Sequence, residues 1–148
     1  MKTFIGKCSV FGGYNDDGMT DAEGLTLYEP AEADRRPDLF HGETRWPYDN
    51  GKAPKCPTWK RLKTDSFYIA MRFEEFIDES RVSRKVIQQI PFLIRNPTNH
   101  VFCVGFLVDR GPGIKDRLVD VSPGIAKYLI LETDDEVEVT MLDMPPHL

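Results

Sequence analysis

Short apolar runs separated by turn residues dominate the chain. Lys7–Phe11 reads as a short strand that enters Gly12–Gly18, whose glycines and Asx residues favour tight turns. Leu25–Tyr28 is a brief strand-like run. From Glu29 to Ser66 the pattern becomes irregular and is punctuated by Pro30, Pro37, Pro47, Pro54 and Pro57, which predicts one large surface insertion. Structureless loops of that length are uncommon, and Phe40, His41, Trp46, Tyr48 and Trp59 predict that part of this one is ordered.

Beyond the insertion, Phe67–Phe73 is apolar and aromatic, Glu74–Arg84 is charged, and Val86–Arg95 is again strand-like. Asn96-Pro97-Thr98-Asn99 predicts a hairpin turn into Val101–Val108, the best candidate for a central strand. A turn at Asp109–Gly113 precedes Arg117–Val121. Ser122 then reads as an N-cap, with Pro123 at the first position of a short helix to Leu129. Val137–Leu142 alternates as a half-buried strand should, and Pro145-Pro146 ends it. About six strands, one short helix and no βαβ rhythm predict a small closed barrel, an architecture that removes exposed sheet edges.

Composition narrows the picture. With 148 residues the chain is one domain, 1–148, and its 41% hydrophobic and 29% charged residues exclude a disordered chain, a collagen-like fibre and a coiled coil. A net charge of -5 leaves no electrostatic footprint for nucleic acid. No run is long enough for a membrane span, and the apolar part of the N-terminal residues is too short for a signal peptide. Cys8, Cys56 and Cys103 lack Cys-x-x-Cys spacing and predict free, mostly buried thiols, with one disulfide pair as the alternative.

The stretch Val108-Asp109-Arg110-Gly111-Pro112-Gly113 through Arg117-Leu118-Val119-Asp120-Val121-Ser122-Pro123 to Leu129 resembles the rare-lipoprotein-A-like family, whose pattern is N-D-R-G-P, G-R and D-L-S before a helix. Phe92–Pro97 is similar to that family's strand before the hairpin, and Ser9–Gly13 to its opening A-S-W-Y-G strand. The specific match covers Phe92–Leu142, about a third of the chain; the segment from Glu29 to Ser66 has no counterpart. The resemblance implies a mainly β fold, a six-stranded double-psi β-barrel with one short helix and the 29–66 insertion. It links the chain to expansins, barwin-like proteins, family 45 endoglucanases and a class of lytic transglycosylases. The implied substrate is a β-1,4 glycan, peptidoglycan for the nearest relatives.

On this resemblance Asp120 takes the place of the general acid, which needs a pKa raised towards neutrality. The competing reading is an anionic carboxylate accepting backbone N–H groups at the approach to the Ser122 cap. Hydrolysis calls for a second carboxylate, for which Asp16, Asp17 and Glu23 on the first loop are available; turn chemistry is the alternative role of that loop. Lytic transglycosylation needs one carboxyl only. Candidate catalytic residues are therefore Asp120, Asp17 and Glu23, and candidate substrate contacts are Tyr14, Asp16, Arg110, Trp46 and Trp59. Flat rings suit sugar faces, but they serve equally to pin a long loop or to bury at an interface. Asp109 and Arg110 are expected to be a structural pair fixing crossing loops.

Against activity, the family's A-A-H strand is here Ile69-Ala70-Met71, without the histidine; His41 and His100 are the possible replacements, and His147 lies in the tail. Calcium-ligand spacing is incomplete, and there is no P-loop lysine motif, dinucleotide fingerprint, G-x-S-x-G or H-E-x-x-H, so no metal or cofactor is called for. Two expectations result. One is a lytic-transglycosylase-like enzyme acting on peptidoglycan. The other is a non-catalytic structural or carbohydrate-binding barrel docking through the 29–66 insertion. Lacking an export signal, either would reach a cell wall as part of a phage tail or baseplate; otherwise the protein is cytoplasmic or leaves by a non-classical route.

Overall fold

The computed structural model describes residues 1–12, 27–44 and 60–142. Six strands form a closed barrel: β1 (Lys2–Val10), β4 (Tyr68–Met71), β5 (Pro91–Arg95), β6 (Phe102–Asp109), β7 (Arg117–Val121) and β8 (Glu136–Met141). Around the barrel the order is β1-β7-β4-β6-β5-β8, and β8 pairs back onto β1. The β1–β7 and β4–β6 pairs are parallel and the other four antiparallel. Exchanging β1, β4 and β5 with β6, β7 and β8 leaves this order and both parallel pairs unchanged. A separate two-stranded sheet joins β2 (Phe40–Thr44) to β3 (Lys60–Leu62).

Alternation decides what the strands bury. Phe92 and Ile94 of β5 and Val137 and Val139 of β8 face inward, as their period-two spacing requires. In β4 all four residues are buried, which explains its unbroken apolar sequence. β1 changes partner along its length: Lys2–Lys7 pairs with β8 and Lys7–Val10 with β7, with a register shift between Lys7 and Cys8. That irregularity leaves consecutive residues Cys8 and Ser9 both buried.

The short helix is where its cap signal puts it. α3 (Pro123–Leu129) starts at Ser122, whose hydroxyl accepts the Ile125 N–H, and buries Ile125 and Leu129. A Cβ on Gly105 would lie 3.2 Å from both Ile125 Cδ1 and Ile94 Cδ1, so the bare glycine makes room for the helix against β6.

Several expectations need correction. There is more than one helix: α1 (Pro30–Ala33), α2 (Arg84–Ile87) and a 3-10 turn at Phe73–Glu75 accompany α3. The first part of the Val86–Arg95 run is helical, because Ser83 caps α2 through the Val86 N–H and Ile87 and Ile90 bury at one-turn spacing before Pro91 opens β5. Leu27 and Tyr28 are buried but belong to no strand; the Leu27 carbonyl takes the Gln88 side-chain amide instead of a ladder partner. The 29–66 insertion contains α1, β2 and β3, so it is not wholly irregular. Arg36 ties it to the rest by donating to the Gln88 carbonyl and lying over the Phe106 ring.

Cys8 and Cys103 are free, buried thiols, and desolvation pushes them up to about 11 and about 12 respectively, the nearby Asp135 charge adding to the shift at Cys8. Cys56 lies outside the described residues. No described helix is long and apolar enough to cross a membrane.

The turn after β6 depends on one glycine. A Cβ on Gly111 would lie 2.3 Å from the Arg72 nitrogen and 2.5 Å from the Met71 carbonyl carbon, whereas one on Gly113 would meet nothing within 4 Å. Gly111→Ala is expected to cost about 3 kcal/mol and Gly113→Ala less than about 0.5 kcal/mol, read from urea unfolding midpoints.

Candidate functional site

Strand register brings together residues far apart in sequence. Asp120 of β7 is level with Ser9 of parallel β1 on one side and with Ala70 of antiparallel β4 on the other. Ala70 is in turn level with Asp109 at the end of β6. One row therefore runs Asp109, Ala70, Asp120, Ser9 across four strands, with the two carboxylate residues on either side of a methyl group. The Ser9 hydroxyl donates to Asp120 Oδ1, and Asp120 is partly exposed.

The cap does not consume Asp120. The first free N–H groups of α3 all go elsewhere: Gly124 to the Thr64 carbonyl, Ile125 to Ser122 Oγ and Ala126 to the Ser122 carbonyl. Ser122 Oγ also donates to the Ser66 carbonyl at 2.6 Å, which anchors the helix start. Of the two roles open to Asp120, service to the helix N-terminus is therefore not the one these bonds describe.

The opening of the first loop lies beside this row. Phe11 donates its N–H to the Val121 carbonyl, and the buried Tyr68 hydroxyl donates to the Phe11 carbonyl at 2.9 Å. Gly12 follows with φ 109°, where a Cβ would lie 2.0 Å from the Tyr68 oxygen, so both the dihedral and the close approach require glycine. Tyr14, Asp16, Asp17 and Glu23 on that loop, and Trp46, Tyr48 and Trp59 in the insertion, lie outside the described residues, as does His147.

Met71, in the strand where the resemblance implies a histidine, is a core residue level with Val119. Neither possible replacement bonds to Asp120: His41 is on β2, and His100 meets Arg95 at the hairpin tip. Arg72 is a clamp whose guanidinium donates to the carbonyls of Pro112 at 2.8 Å and Arg117 at 2.9 Å.

Arg110 does bind a carboxylate through two nitrogens, but the carboxylate is Glu79, at 3.0 and 2.7 Å, with Glu74 at 3.4 Å. Its guanidinium also lies 4.7 Å from the Phe73 ring centre. Asp109 accepts the Arg110 backbone N–H at 2.7 Å. Together Arg72 and Arg110 fasten the turn after β6 to the segment that follows β4.

Sequence reasoning missed Ser9 as a partner of Asp120 and missed Arg117 as a nearby cation. Arg117 is raised above its ordinary value chiefly by its hydrogen bond to Asp134, with smaller contributions from the charges of Asp116 and Asp120. Ser9 stands in the segment similar to the family's opening strand, the one signal that could have singled it out. Among the described residues no group of three or more metal-binding side chains is assembled.

Comparison with protein-family models gives no match for the chain, and comparison with curated proteins gives none either.

The Glu79 carboxyl is held below its usual range by the Arg110 hydrogen bond. A depressed carboxylate adds stability above its unfolded pKa of about 4.3 and loses it as pH falls through the folded value. Glu79→Gln is therefore expected to lose less than about 1 kcal/mol near neutral pH, with the gap from the native sequence closing below about pH 4. Urea titrations of both proteins across that pH range check the sign.

Proposed function

We propose that the barrel is of the double-psi type and acts on cell-wall glycan as a lytic-transglycosylase-like enzyme with Asp120 as its acid and base. The observation that carries this reading is the Asp120 carboxyl, spared by the helix cap and set in a row with Ser9, Ala70 and Asp109. The strand order, unchanged when the halves of the barrel are exchanged, supports the barrel type.

In the reaction the Asp120 carboxyl gives its proton to the glycosidic oxygen as the bond to the anomeric carbon breaks. The resulting carboxylate takes a proton from a hydroxyl of the same sugar as that oxygen bonds to the anomeric carbon, closing an anhydro ring and restoring the acid. A serine hydroxyl suits both states, because it donates to a carboxylate and accepts from a carboxylic acid. Asp17 and Glu23 are the proposed assisting carboxylates, and Tyr14, Asp16, Trp46 and Trp59 the proposed substrate contacts, whereas Arg110 is taken up by Glu79. Incorporation into a phage tail or baseplate would deliver the protein to peptidoglycan.

The buried Met71 favours a second reading, a non-catalytic barrel that binds glycan or docks to other virion subunits. Digestion of purified peptidoglycan separates the two. The native sequence is expected to release anhydro-sugar muropeptides, identified by mass spectrometry, and Asp120→Asn to release them at least about 100-fold more slowly while keeping the native circular dichroism. Absence of release by the native sequence would contradict the enzymatic reading.

A further inference from the structure

A cleft of about 210 Å³ lies between α1 and α2, lined by Glu32, Arg35, Arg36, Lys85, Gln88 and Gln89. It shares no residue with the Asp120 row. Two of its charged residues are already committed. Arg36 grips Asp38 through two nitrogens at 3.0 and 2.9 Å and donates to the Tyr28 hydroxyl at 3.0 Å. Glu32 is matched by Arg84 at 2.8 Å, the Gln88 amide at 3.0 Å and the Glu29 N–H at 3.0 Å.

Arg35 and Lys85 remain. Both are exposed, and neither side chain has a hydrogen bond or ion pair among the described residues. In a chain of net charge -5, two unmatched cations at one cleft are an uneven use of charge. Gln88 supplies an independent signal. It is only 8% exposed, and its Nε2 donates to the Leu27 carbonyl at 2.6 Å and to Glu32, two acceptors that fix the amide orientation. No described donor reaches the other end, Oε1, and a buried acceptor without a donor is costly.

We propose that this cleft binds a phosphate monoester of a small hydroxylated molecule, with the phosphate between Arg35 and Lys85 and a hydroxyl donating to Gln88. A monoester carries about 1.5 to 2 negative charges near neutral pH, which matches two cations where a carboxylate or a phosphodiester matches one. Arginine contributes a planar fork and lysine a point charge, the usual complement for phosphate oxygens. The volume falls below the roughly 300–1,000 Å³ of pockets that enclose drug-sized ligands, so a headgroup fits and a nucleotide does not. This inference is independent of the glycan reading.

Isothermal titration of the full chain at constant ionic strength tests it, with glycerol phosphate, inorganic phosphate, glycerol and dimethyl phosphate as probes. Glycerol phosphate is expected to bind saturably in the millimolar range or tighter, and dimethyl phosphate and glycerol about tenfold more weakly or not at all. Arg35→Gln combined with Lys85→Gln is expected to weaken glycerol phosphate binding by about tenfold or more without moving the thermal midpoint, since both side chains are exposed and unpaired. Inorganic phosphate binding well above dimethyl phosphate supports the charge match. The proposal is overturned by no saturable binding of glycerol phosphate, by equal binding of the monoester and the diester, or by undiminished binding in the double variant.

Discussion

The parallel pairing of β1 with β7 is the contact on which the rest of the molecule depends. β7 bonds to β1 on one side and to β4 on the other, while β1 also pairs with β8. Without the β1–β7 ladder the sheet would be open, with β1 and β7 as its unpaired edges. Parallel partners cannot be joined by a tight turn, and this ladder joins residues as far apart as Ser9 and Asp120, 111 positions, so it must form against a large loss of chain entropy. The shift between Lys7 and Cys8 lets one strand serve two neighbours, and it buries Ser9 where Asp120 needs a partner.

Local devices hold that closure in place. Tyr68, at the start of β4, reaches the carbonyl of Phe11 just past β1 and thereby ties the two strands that flank β7. Gly12 and Gly111 are two of the points, with Gly6 and Gly124, where the backbone passes too close to a neighbour for a side chain. The turn after β6 is further fastened by Arg72, which follows β4 and reaches the turn's carbonyls, and by Arg110, which follows β6 and reaches Glu79. A segment that carries the family-like pattern is thus fixed by ordinary steric and charge constraints. These account for its glycine and arginine whether or not the barrel cleaves a glycan.

Features set by near neighbours were legible in the sequence. Ser122-Pro123 marked the helix start, Asn96–Asn99 the β5–β6 hairpin, and the alternation after Val137 the last strand. α2 was misread because Val86 and Ile87 look like a strand until Ser83 is recognised as a cap and Ile90 as the next turn of the same face. Long-range partners left no local trace. Ser9 and Asp120 are 111 residues apart, and Arg110 and Glu79 are 31 apart, so only the barrel register and the fold of the 73–79 segment bring them together. Leu27 and Tyr28 illustrate the opposite failure, an apolar pair whose burial satisfies its composition without any strand.

β1 and β7 run side by side in parallel, with Ser9 beside Asp120. Nuclear Overhauser contacts in the isotope-labelled protein measure this directly. Backbone Hα–HN contacts in the parallel pattern are predicted between Cys8 and Val119, Ser9 and Asp120, and Val10 and Val121, together with a contact between the Ser9 and Asp120 side chains. An antiparallel pattern between these segments, a register displaced by a residue, or no contact between them would contradict the barrel closure and the site built on it.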